Sequence, residues 1–161
     1  MVDECRDHVV AVWQRVVYTI WRGETTSRGV HAMQDAVRRL RDGRALALSI
    51  VTETAPLPPA SVRRALAETM ARFGDQIARS ALVFEGGGFR AAAVRSVVTG
   101  LSLFSKLPYP HRVFDKPEVA LGWLHEVAKV EPTLHFSLVQ SLDALHALRE
   151  RKVQESLSSA M

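Results

Sequence analysis

The chain has 161 residues, 47% of them hydrophobic and 24% charged, which is enough apolar material for one substantial core and too little charge for wholesale disorder. Its 21 Lys and Arg against 17 Asp and Glu leave a formal charge of +4, but the excess is spread over several segments with no basic run interleaved with aromatics, so nucleic acid is not an expected partner. The single cysteine, Cys5, excludes an intramolecular disulfide and a cysteine-cage metal site; no window approaches the roughly 20 apolar residues that cross a bilayer, and the acidic start "MVDECRDHVV" is unlike a secretory signal, so a cytoplasmic protein is expected.

Two β-rich runs, residues 9–13 and 16–21, flank the polar pair Gln14-Arg15 and predict a tight hairpin that ends at Gly23. From Ser27 the period changes: Val30, Met33, Val37 and Leu40 share one stripe while Arg38, Arg39 and Arg41 face water, and Asp42-Gly43 closes this amphipathic helix. "RALALSIVT" reads as a strand covered on both faces, and "APLPP" breaks it. Val62, Leu66, Met70, Phe73 and Ile77 then recur at helical spacing behind Pro58-Pro59, which suits a first turn.

"SALVF" predicts another short buried strand, and residues 90–105 an Ala- and Val-rich helix. "HRVF" follows as a strand after "KLPYP". In "DKPEVALGWLHEVAK" Asp115 is the expected cap, Pro117 fits the first turn, and Val119, Trp123 and Val127 share a face. Alternation of this kind predicts an α/β layer with a largely parallel sheet of about five strands. Beyond it, a final helix over residues 137–156 places Leu138, Leu142, Leu145 and Leu148 on one stripe. That stripe either packs on its own domain or pairs two copies in a homodimer. The expected division is an α/β domain over residues 8–129 and a C-terminal amphipathic helix over 133–157 that adds contacts without completing the core.

The order of elements resembles the STAS domain, named for sulphate transporters and anti-sigma-factor antagonists, and more closely its stand-alone bacterial relatives. The residues that carry the resemblance are "VVAVWQRVVYTIWRG", "ALALSIVT", "SALVF" and "HRVFDKPEVALGWL". It implies a STAS-like mixed sheet with amphipathic helices and a non-enzymatic regulatory or protein-interaction module in a bacterial cytoplasm. In classical members a Ser or Thr at the start of the helix after the third strand is phosphorylated, which rebuilds a partner interface. The matching segment "IVTETAPLPPASV" lacks the family's Asp-Ser-Ser/Thr-Gly pattern and carries a proline-rich stretch instead. Thr52, Thr54 and Ser61 are the hydroxyls that could stand in.

One stretch, "LVFEGGGFRAAAVRSVV" at residues 82–98, looks like a chemical site. Gly86, Gly87, Gly88 and Arg90 could form a ligand or partner loop, since amides at a helix start attract anions. The stretch fits neither the phosphate-loop nor the dinucleotide spacing well, and Ala91 stands at the place of the fingerprint's last glycine. A strand-to-helix turn is therefore the plainer reading. The six histidines show no ligand-pair spacing, so no metal is expected. No cofactor is expected either. Cys5, in an N-terminus expected to fray, makes a poor nucleophile, and Trp13, Trp21 and Trp123 read as core or edge packing. Two alternatives to a regulatory module stay open: a carrier of a small hydrophobic or anionic ligand in an apolar pocket between helices, and an enzyme using the glycine loop.

Overall fold

The computed structural model describes residues 2–88, 92, 93, 96 and 107–151. Six strands form one sheet whose spatial order follows the chain: β1 (Val2–Glu4), β2 (His8–Trp13), β3 (Val16–Trp21), β4 (Ala45–Val51), β5 (Ile77–Phe84) and β6 (His111–Phe114). The first three pair antiparallel and the last three join in parallel. The mixed α/β sheet expected from the sequence is therefore present, with one strand more than expected. The addition is β1, whose three residues alternate too briefly to announce a strand but still pair with β2, Val2 opposite Ala11.

The β2–β3 hairpin turns at Gln14, a non-glycine residue at φ 52°. Its side chain helps hold it there: the amide oxygen accepts from Ser137 N at 3.1 Å, and the amide nitrogen donates to Gln140 Oε1 at 3.3 Å. Helix α1 (Ser27–Arg39) is capped by Thr26, which accepts from Gly29 N. Helix α2 (Ala60–Arg72) starts directly after Pro59, whose extended backbone serves as the N-cap. Helix α3 (Pro117–Ala128), a short 3-10 turn (Pro132–Leu134) and α4 (Leu138–Glu150) complete the described elements.

Strand alternation divides the molecule into two faces. One carries Val9, Tyr18, Ile20, Leu46, Leu48, Ile50 and Val83 against α3, the 3-10 turn and α4. The other carries Val10, Val17, Ala45 and Ile77 beneath α1, with Phe73 and Tyr109. Because β3, β4 and β5 step across the sheet in one direction, right-handed crossovers put α1 and α2 on the same side. Among the described residues, those that cover the opposite side follow β6.

Three expectations need correction. Ile77 continues the helical spacing of Val62 and Phe73, yet α2 stops at Arg72 and Ile77 opens β5, because Phe73, Gly74 and Gln76 turn the chain back towards the sheet. Asp115 is not the cap of α3; Lys116 is, without a side-chain cap bond. Val119 is 53% exposed, and the buried face of α3 is Pro117, Ala120, Leu121, Leu124 and Val127. The helix expected over residues 90–105 lies almost wholly outside the described residues, as do residues 152–157 of the C-terminal segment.

Candidate functional site

Strand β4 reads "ALALSIV", and its alternation is one of size as well as side. Leu46, Leu48 and Ile50 fill the α3–α4 face, whereas Ala45, Ala47 and Ser49 point beneath α1 and α2. Thr19, Ser80 and Ala81 add further small side chains from β3 and β5. On the helical side α2 leans on α1, and only its Thr69 is fully buried. Small residues below and a helix that stands off above leave a cleft of about 140 Å³, walled by Met33, Leu66, Met70 and Phe73 and almost entirely apolar. A cavity of roughly 150 Å³ is large enough to hold a benzene-sized molecule. Pro56, Leu57 and Pro58 form one rim, and Leu57 is 42% exposed, so the cleft meets solvent beside the proline loop.

Polar ties hold the roof in place. Gln34 Nε2 donates to Thr69 Oγ1 at 2.8 Å, and that hydroxyl donates to Ala65 O at 2.8 Å. Tyr109 OH donates to Met70 O at 3.3 Å, and burial pushes its pKa up to about 12. At the β5–β6 side Ser80 Oγ lies 2.5 Å from His111 Nδ1. Burial lowers the pKa of His111, so the ring is neutral at neutral pH. The Nε2 atom of His111 is buried and has no hydrogen-bond partner among the described residues. An orphaned buried donor or acceptor of this kind costs about 1–3 kcal/mol.

The glycine loop stands elsewhere, at the carboxyl ends of β4 and β5. Gly88 adopts φ 75°, which explains a glycine there, while a Cβ on Gly87 would meet nothing within 4 Å. The surroundings do not favour an anion: Gly86 lies beside Glu53, and Glu85 is paired with Arg149. Arg90 lies outside the described residues. Of the three hydroxyls, Thr54 and Ser61 are exposed. The Oγ1 of Thr52 is buried without a hydrogen-bond partner among the described residues, so a kinase could not reach it without local opening.

The leucine stripe turns towards its own chain. Leu145 and Leu148 belong to the main core, and Leu138 and Leu142 pack against it. This corrects the picture of a helix that leaves the core complete without it. Burial raises the pKa of Tyr18 beneath α4, and the nearby Ser141 hydroxyl offsets part of that rise.

Cys5 also differs from expectation. The pairing of β1 with β2 holds the N-terminal segment, and Cys5 Sγ lies 3.2 Å from His8 Nδ1, while His8 Nε2 lies 2.9 Å from Asp3 Oδ1. His8 is fully buried against Trp21, so this chain of bonds ties the edge strand down. Among the described residues no group of three or more His, Cys, Asp or Glu could hold a metal, and no helix is long and apolar enough to cross a membrane.

The residues that wall the cleft were not singled out as a site from the sequence. Their signal was the alternation of small and large in "ALALSIV", which also fits a strand buried on both faces. No family model matches the chain, and no curated protein matches it. Among solved structures it is similar to one described as an uncharacterized protein from the DUF3478 family with a SpoIIAA-like fold, from Shewanella loihica PV-4. The identity is 16%, the match covers 77% of this chain and 90% of that one, and the TM-score is 0.49.

Proposed function

We propose that this chain is a non-catalytic binding module of STAS type whose α1–α2 cleft takes up a small, mainly apolar molecule. The observation behind this reading is the set of small side chains Thr19, Ala47 and Ser49 on β3 and β4, under a helix α2 that rests mainly on α1 and not on the sheet. A sheet face built only to pack would carry larger side chains, as the opposite face does, because protein interiors otherwise close to crystal-like density. The Ser80–His111 pair is the nearest approach to catalytic machinery. Among the described residues no carboxylate orients its imidazole, which favours binding over hydrolysis.

Native mass spectrometry of freshly purified protein, followed by titration with a fluorescent apolar probe, tests the reading. The expected result is a co-purifying small mass, or a probe that binds the native protein and is lost in Ala47→Leu with the fold retained. A co-purifying protein in place of a small molecule supports the protein-interaction reading, for which the exposed Thr54 and Ser61 are the candidate switch positions. Absence of binding by any apolar probe up to about 1 mM, a free energy near 4 kcal/mol, overturns the cleft reading.

A further inference from the structure

Ser80 and His111 are register partners across the β5–β6 ladder, so both side chains project from the same face of the sheet, the one that α1 and α2 cover. Ser80 Oγ lies 2.5 Å from Nδ1 and has no second acceptor among the described residues; with the hydroxyl as donor to Nδ1, the imidazole proton sits on Nε2. That N–H is buried and unpartnered among the described residues, and no other side-chain polar atom on the cleft wall is in that condition. The hydroxyls of Tyr109 and Thr69 already donate to backbone carbonyls.

Among the described residues the wall contains no Lys, Arg, Asp or Glu. A carboxylate or phosphate entering here would lose its water and find no opposite charge among the described residues, a cost that a neutral imidazole does not offset. We infer that the cleft selects an uncharged molecule with an apolar body and one oxygen acceptor, a ketone or ester, and that His111 Nε2–H receives that oxygen. Ser80 is the positioning residue, because it fixes which ring nitrogen carries the proton. The inference rests on the cleft being a binding site, and it narrows the ligand to a neutral carbonyl class.

Two phenyl probes of similar size separate the ideas. Acetophenone carries the acceptor; isopropylbenzene does not. Titration of the full chain by calorimetry or NMR is expected to show acetophenone binding about tenfold more tightly than isopropylbenzene. The preference is expected to vanish in His111→Phe, with isopropylbenzene binding unchanged. Ser80→Ala, a smaller change that serves if the first variant folds poorly, is expected to reduce the preference because either ring nitrogen can then hold the proton. Equal binding of the two probes by the native chain overturns the inference and leaves the cleft reading standing. So does tightest binding of benzoate, or a preference that survives in both variants. Binding of no probe at all overturns the cleft reading together with the inference.

Discussion

Gly29 has no room for a side chain. A Cβ there would come within 2.5 Å of the Trp21 indole and 2.9 Å of His8 Nδ1, and both of those side chains are buried. This close approach lets the first turn of α1 sit down on β2 and β3, beside the bonds that join His8 to Cys5 and Asp3. The glycine loop differs at each position: Gly88 needs its positive φ but has open space around it, and Gly87 has open space without that backbone requirement. Replacement by alanine is therefore expected to rank the sites. Gly29→Ala costs about 1–3 kcal/mol through overpacking, Gly88→Ala about 1 kcal/mol through backbone strain, and Gly87→Ala nothing measurable. Thermal unfolding of the three variants checks the order. Loss of ligand uptake in a folded Gly87→Ala variant would return a chemical role to the loop.

At the scale of elements, α4 shows how an apparent appendage becomes part of the core. The hairpin holds the helix at both ends: Gln14 bonds the Ser137 amide at its start, and Arg22 donates to Leu148 O at 2.9 Å and to Arg151 O at 3.0 Å at its end. Between these anchors Leu145 is 1% exposed. Leu145→Ala is expected to cost about 2–5 kcal/mol, the range for a core leucine. Deletion of residues 133–161, which also removes the buried Leu134 and Phe136, is expected to leave a chain without cooperative unfolding in denaturant. A truncated chain that folds with an unchanged midpoint would restore the division at residue 129. The hairpin, β4, the core of α1 and Pro117 at the start of α3 were legible in the sequence because each has a local signal: β-branched runs around a polar pair, 3.6-residue spacing, a proline at a first turn. The termination of α2 before Ile77 was not legible, since the apolar spacing continues unbroken through the turn. The cleft was not legible either. It depends on which face of β4 receives the alanines and how far α2 stands from the sheet, and both are settled by contacts between segments far apart in the chain.

Across the whole molecule the two faces of the sheet differ in how firmly they are built. The α3–α4 face packs Leu46, Leu48 and Ile50 against Leu121, Leu124, Leu134, Phe136 and Leu145, all nearly or wholly buried. The α1–α2 face has alanines and serines, a cleft, and in α2 a helix with one fully buried residue. Local stability follows buried apolar contact, so α2 belongs to the part of the fold that opens most readily, while β4 and β5 open only with global unfolding. A molecule bound in the cleft would supply α2 with the apolar contacts it lacks, and it stabilises the closed form in proportion to the logarithm of its excess over Kd, about 2.7 kcal/mol at a hundredfold excess. Hydrogen exchange read by mass spectrometry is therefore expected to show rapid exchange in residues 60–72 of the free protein and slow exchange in β4 and β5. Saturation with the tightest-binding probe is expected to slow α2, and with it the proline loop at residues 56–58, while α4 stays unchanged. Protection of α4 with no change in α2 would place the ligand on the opposite face of the sheet. An α2 as protected as β4 in the free protein would show that the helix is held by contacts other than those in the cleft, and that ligand binding is not what closes it.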